Sequence, residues 1–252
     1  MKYVHHVVMK MTYLKIIGHI LSAIWQVTFY FPWINKSSKD RRIKKWCQKL
    51  LKILEVNLQL SGFDSLPPSG ILFASNHISW LDIMVINAAM PVRFVAKSEV
   101  KQWPIFGYLA DQLNTLYIQR NNRGDVSQMV GQLVNALNDG ERICIFPEGT
   151  SSDGSTVLPF KSNLFEAVII SNSHCMPLAI TYKDLVTGQQ SIAPAYFGEM
   201  NLIESIKNIV NSPPIDVLVS VNAMTSSYRT RKELCDEVWE KVNQMHQLDA
   251  TN

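Results

Sequence analysis

His77 and Asp82 stand five positions apart in Ser75-Asn76-His77-Ile78-Ser79-Trp80-Leu81-Asp82, directly after the apolar run Ile71-Leu72-Phe73-Ala74. An imidazole and a carboxylate make the base and the orienter of a general-base pair, provided that they meet. On one continuous helix of 3.6 residues per turn they would point about 140° apart. They meet only if His77 lies in a loop and Asp82 in the first turn of the next helix, where the dipole also favours a carboxylate. The flanks suit that arrangement: a strand over 71–75, a short polar loop, then the apolar stretch that begins at Trp80. The same residues also describe a carboxylate capping helix donors beside a surface histidine. The pair alone does not choose between these readings.

Three further groups can bind polar ligands. Phe146-Pro147-Glu148-Gly149-Thr150-Ser151-Ser152-Asp153-Gly154 runs from an apolar strand into a loop. Its glycines permit close backbone approach, its hydroxyls and amides can cradle a polar group, and Glu148 can hold a ligand hydroxyl or a cation. Arg120 leaves the end of a strand with Arg123 close by, and arginine suits bidentate contact with phosphate or carboxylate. Lys161 precedes a helix start and either adds a charge to the same site or faces water. Taken singly, these are also ordinary turns and solvated side chains. There is no Gly-x-Ser-x-Gly elbow and no nucleotide-binding glycine loop. Cys47, Cys144, Cys175 and Cys235 are scattered without a Cys-x-x-Cys pair, which points to neither a disulfide framework nor zinc, and to a reducing compartment. Cys144 falls inside a strand and reads as core, while His174 and His246 lack partners at ligand spacing, so no metal site is expected.

These residues must be carried by an alternating framework. Strands are predicted over 71–75, 92–96, 115–118, 143–147, 176–181 and 216–221, from short apolar or β-branched runs. A helix is predicted over 125–139, with Val126, Met129, Val130, Leu133 and Leu137 on one face and Gly140 as its stop. Leu234, Val238, Val242 and Met245 mark an amphipathic terminal helix. The alternation predicts an α/β fold with a mixed, largely buried sheet flanked by helices. Leu66-Pro67-Pro68-Ser69-Gly70 is a turn at the start of this main domain, assigned to 66–252.

Residues 1–65 read as an N-terminal membrane-binding helical region. Tyr13 to Ile34 is mostly apolar, with Trp25, Tyr30, Phe31 and Trp33 gathered at its far end like an interfacial aromatic belt. Its length of about 20 residues can cross a bilayer or lie along its surface. A basic run follows (Lys36, Lys39, Arg41, Arg42, Lys44, Lys45, Lys49 and Lys52 against Asp40), which is drawn to anionic lipid and places the body on the cytoplasmic side, at a cell inner membrane. Leu50, Leu51, Leu54 and Leu58 extend this region as one helical face. The 252 residues, 47% hydrophobic, supply one sizeable core, and a net charge of +3 is too mild for a nucleic-acid binder.

Four blocks in order resemble the glycerolipid acyltransferase family: Asn76 to Asp82, Leu116 to Arg120, Phe146 to Ser152 and Met176 to Ile180. The resemblance covers about residues 70–182. It implies transfer of an acyl chain from an acyl thioester, on coenzyme A or acyl carrier protein, to a lysolipid hydroxyl, without a cofactor or metal. His77 would be the base and Asp82 its orienter, with no acyl-enzyme. Asn76, Arg120, Glu148, Gly149, Thr150 and Lys161 would form the acceptor site, and an apolar acyl tunnel should open nearby. Ser151 departs from the pattern, because phosphate-binding members carry arginine there. Lysophosphatidic acid is the first acceptor expected, with lyso-ornithine lipid, which lacks phosphate, as the alternative. A non-catalytic lipid-binding protein is disfavoured, since every proposed catalytic residue is present.

Overall fold

The computed structural model describes residues 2–119, 123–223 and 230–251. The chain opens with two helices, α1 (Lys2–Trp25) and α2 (Lys36–Ile53). It then runs through β1 (Val56–Ser61), β2 (Ile71–Ser75), α3 (Leu81–Ala89), β3 (Arg93–Lys97), α4 (Phe106–Gln112) and β4 (Leu116–Ile118). It closes with α5 (Arg123–Asn138), β5 (Arg142–Ile145), α6 (Glu166–Ser171), β6 (His174–Asp184), α7 (Leu202–Asn211), β7 (Ile215–Val221) and α8 (Arg231–Thr251).

The strands form one sheet in the order β1-β7-β6-β2-β5-β3-β4. From β6 to β4 neighbours run parallel; β7 is antiparallel to β6, and β1 follows β7. The sheet is therefore mixed, as expected. Every residue of β2 is buried, and its side chains alternate between two cores. Ile71 and Phe73 join α2, α3 and α7, whereas Leu72 and Ala74 join α5, α6 and α8. On α8, Leu234, Val238 and Val242 are buried on that second face. The parallel strands end together at one edge, and the segments after β2, β3 and β5 meet there. That is where ligands bind in open α/β sheets.

One stretch folds differently from its sequence reading. The helical pattern through Leu58 stops early: α2 ends at Ile53, Glu55 takes a positive φ of 56°, and residues 56–61 become β1. Pairing wins over local periodicity here. β1 gains a parallel ladder along β7 from Val56↔Ile215 to Ser61↔Ser220, and Asn57 Nδ2 and Gln59 Nε2 both donate to the Asp216 carboxylate. The sheet thus begins inside the segment read from sequence as the helical region 1–65.

α1 and α2 form a hairpin. α1 runs on through a π-helical segment, Gln26–Tyr30, and a 3-10 turn, Phe31–Trp33; the chain then enters α2, which Asn35 caps by accepting from Ser38 N–H at 2.9 Å. His19 and Trp46 lock the pair: the Trp46 indole donates to His19 O at 3.1 Å, His19 Nε2 meets Trp46 O at 2.9 Å, and the rings stack. Ile16, His19, Ala23, Val27 and Phe31 are buried against the protein, while Leu14, Leu21, Trp25, Phe29 and Trp33 stand exposed.

Candidate active site

β2 delivers His77 into a loop, and α3 begins at Leu81 with Asp82 in its first turn. That is the one arrangement that lets residues five apart meet, and they do: His77 Nδ1 lies 2.8 Å from Asp82 Oδ2. Asp82 is fully buried and accepts from every side. Its Oδ2 also takes the Ile78 and Ser79 N–H groups at 2.8 and 2.9 Å, and its Oδ1 takes the Tyr182 hydroxyl at 2.8 Å. The carboxylate therefore does both jobs that the sequence left open, capping the turn and orienting the imidazole. An acceptor-only partner at this distance sets Nδ1 as the protonated nitrogen and leaves Nε2 as the basic one. The imidazole stacks on Phe146 at 4.0 Å, which fixes the ring plane.

Loop 146–154 wraps this pair. Ser152 N–H donates to His77 O at 2.9 Å, and His77 N–H donates to Glu148 Oε1 at 3.0 Å. Glu148 is buried, and Oε2 has no hydrogen-bond partner among the described residues. Burial pushes its carboxyl up to about 8, reinforced by the charge of Asp82; the His77 N–H pulls the other way. Leu158 N–H acts in the same sense as His77 N–H without closing a hydrogen bond to Oε2. Gly149 turns with φ of 77°, a conformation that favours glycine, and donates to Phe146 O.

A cavity of about 800 Å³ opens from His77. Gly149, Thr150, Ser151 and Lys97 line it together with Val27, Phe31, Trp46, Trp80, Met84 and Phe94, and charged residues, among them Arg42, Arg93, Glu141 and Arg142, line it as well. The volume is within the usual range of about 300–1,000 Å³ for small-molecule sites.

The fold brings His77, Asp82, Glu148, Gly149 and Thr150 together around this cavity mouth. Asn76 is buried, and its amide spans the Ile180 backbone, donating to Ile180 O at 2.9 Å and accepting from Ile180 N–H at 2.8 Å. Both of its polar ends are used in continuing the β2–β6 ladder, so it holds the loop rather than a ligand. Lys161 is not brought to the cavity. Its side chain is exposed and lines no part of the cavity, while its backbone N–H donates to Pro147 O at 3.0 Å. Arg120 lies outside the described residues. Ser151 Oγ donates to the Tyr196 carbonyl. Cys144 is fully buried, and burial together with the Asp82 charge pushes its thiol up, away from nucleophilic use.

Tyr182 and Lys97 lie outside every motif read from the sequence, and Phe146, read there only as part of its block, is the ring on which His77 stacks. Tyr182 lies two residues past the last block, in phase with Leu178 and Ile180 on one face of β6. A tyrosine at a buried strand position needs a partner for its hydroxyl, and that was the available signal.

The Acyltransferase family model matches residues 57–181. A 1-acyl-sn-glycerol-3-phosphate acyltransferase of Neisseria meningitidis is 29% identical over 215 residues, 84% of each chain. A lyso-ornithine lipid O-acyltransferase of Rhizobium meliloti is 29% identical over 227 residues, 84% of this chain and 77% of that one. Another, of Brucella abortus, is 37% identical over 164 residues, 59% of this chain and 60% of that one. The crystal structure of the 1-acyl-sn-glycerophosphate acyltransferase PlsC of Thermotoga maritima shares the fold, with a TM-score of 0.72 at 20% identity over 98% of this chain and 96% of that one.

Proposed function

The chain belongs to the acyltransferase family, whose domain it carries over residues 57–181, and we propose that it acylates the free hydroxyl of lysophosphatidic acid to give phosphatidic acid. The observation that carries this reading is the His77–Asp82 pair, set at 2.8 Å at the head of the cavity. His77 Nε2 takes the proton of the acceptor hydroxyl while Asp82 stabilises the imidazolium. The acceptor oxygen attacks the thioester carbonyl, a tetrahedral intermediate forms, and its collapse breaks the carbon–sulfur bond. The proton on Nε2 then passes to the departing thiolate. No protein nucleophile is needed, in keeping with the inert, buried Cys144. The acyl chain lies against the apolar residues of the cavity, and acyl-CoA or acyl carrier protein supplies it. Glu148 acts by fixing the His77 backbone, and the backbone around Gly149 with Thr150 and Lys97 meets the acceptor's polar head.

We place the enzyme at the cytoplasmic face of a cell inner membrane. The stretch Lys10–Trp33, which takes in most of α1 and the helical segment after it, is long and apolar enough to cross a bilayer. One face of it from Ile16 to Phe31 is nevertheless buried against the protein, so lipid does not surround those turns. An interfacial helix fits better, with its exposed apolar row in the acyl region and the basic residues of α2 at the headgroups.

Ser151 favours a second acceptor. Its hydroxyl is held by Tyr196 O, where a guanidinium would otherwise face a phosphomonoester, so lyso-ornithine lipid is the competing substrate. Purified protein in vesicles, offered both acceptors with acyl-CoA and with acyl carrier protein, decides between them. We expect turnover of lysophosphatidic acid that disappears in His77→Ala. Preference for the phosphate-free acceptor replaces the first reading by the second, and no acylation of either lysolipid overturns both.

A further inference from the structure

The loop Trp103-Pro104-Ile105-Phe106-Gly107 contains an unexplained cost. Ile105 has φ of 67° and ψ of −54°, and Phe106 N–H donates to Pro104 O at 2.7 Å, closing a three-residue γ-turn of the positive-φ hand. That turn is rare and strained, and for a β-branched residue a positive φ is a true outlier. Glycine or asparagine would adopt it more easily. The isoleucine is not there to fill the core, because 47% of it is exposed. The backbone around it is held firmly: Leu109 N–H donates to Ile105 O at 2.9 Å, and a Cβ on Gly107 would meet Lys101 O at 2.2 Å.

The turn sits beside the N-terminal hairpin. The hydroxyls of Tyr108 and Thr28 are hydrogen-bonded at 2.7 Å. Trp103 and Phe106 line the same cavity as Val27 and Phe31. Phe29, the neighbour of Thr28 in sequence, is exposed, as are Tyr108 and Ile105. A strained turn that presents an aliphatic side chain to the outside, bonded through its neighbour Tyr108 to the segment that carries Phe29, has the chemistry of a membrane wedge.

We propose that the Ile105 turn is a second membrane-inserting element, which with α1 brackets the cavity and seats it against the lipid surface. The lysolipid then passes from bilayer to His77 through that cavity. This rests on the reading of α1 as an interfacial helix, and the test separates the two.

The full chain carrying Ile105→Cys is labelled with an environment-sensitive fluorophore, and a companion carries Leu21→Cys on α1. The four native cysteines are buried, which directs the label. On vesicles of phosphatidylethanolamine and phosphatidylglycerol, both probes should shift to the blue and be quenched by lipids brominated in their acyl chains. A response at Leu21→Cys alone overturns the wedge and keeps the interfacial helix; silence at both overturns both. A blue shift at Ile105→Cys without vesicles, growing with protein concentration, assigns the turn to a second copy of the chain and also overturns the wedge. Ile105→Asn gives an independent check, because it relieves the backbone. Its melting temperature should rise, its rate on a water-soluble short-chain lysolipid should hold, and its rate on vesicle-embedded acceptor should fall about fivefold or more. An unchanged vesicle rate in that variant defeats the proposal.

Discussion

The Tyr182 hydroxyl donates to Asp82 Oδ1 at 2.8 Å, while His77 Nδ1 holds Oδ2 at the same distance. Tyr182 comes from β6 and Asp82 from the first turn of α3, so this bond ties the orienting carboxylate to the sheet. Both residues are buried, and burial, with the Asp82 charge adding to it, pushes the phenol well above its usual range, so the hydroxyl stays a donor. Tyr182→Phe should lower stability by about 1–2 kcal/mol, the cost of a lost buried hydrogen bond. Assayed well below its melting transition, it should also lose about three- to tenfold in kcat with KM unchanged, since the bond serves the base and not the substrate. A loss of stability with wild-type kcat would reduce Tyr182 to packing.

Asp82→Asn separates orientation from charge. The asparagine carbonyl can take the place of Oδ2 toward His77, Ile78 and Ser79, so the turn should survive. The imidazolium formed during acyl transfer would then face a neutral amide. We expect kcat to fall by about 10²–10⁴, with the variant folded by circular dichroism. His77→Ala combined with Asp82→Asn should cost little more than His77→Ala alone, because the pair acts as a unit. Near wild-type turnover in Asp82→Asn would leave the carboxylate with only its capping role.

Local rules made much of this legible. Helix geometry and the apolar flanks named the one arrangement in which His77 and Asp82 can meet, the four blocks in order favoured it, and the buried run of β2 and the period of α5 and α8 follow from side-chain pattern. What escaped depends on partners distant in sequence. β1 looked helical because Leu50, Leu51, Leu54 and Leu58 keep helical spacing; only the waiting edge of β7 converts residues 56–61 into strand. Asn76 stands beside His77 in the motif, yet its partner is the backbone of Ile180, 104 positions away. Lys161 was placed by charge alone, and charge does not say which way a side chain faces.

Asn76→Ala tests that reassignment. It would orphan the buried N–H and C=O of Ile180 and weaken the junction from which His77 projects. A loss of about 2–4 kcal/mol in urea unfolding is expected for two buried hydrogen bonds. In the fraction that folds, the KM for acceptor should hold. A large rise in KM with unchanged stability would return Asn76 to the substrate site.

Glu148 gives the fold a pH dependence of definite sign. Its carboxyl ionises near 4.5 in the unfolded chain and at about 8 in the folded one, where burial and Asp82 resist the charge. The folded state therefore binds this proton more tightly, and the stability it contributes is fully present below pH 4.5. It is lost progressively as pH rises towards 8 and stays lost above that. The side chain is only 4% exposed, so little solvent screening applies, and the loss should be on the order of a few kcal/mol. Glu148→Gln keeps an oxygen for the His77 N–H and has nothing to ionise. Its stability relative to the unmodified protein should climb between those two values and run level outside them. Urea unfolding of both proteins across that window measures the difference directly. A flat difference would mean that Glu148 ionises as it does in water, and that its unpartnered Oε2 is solvated in the working enzyme.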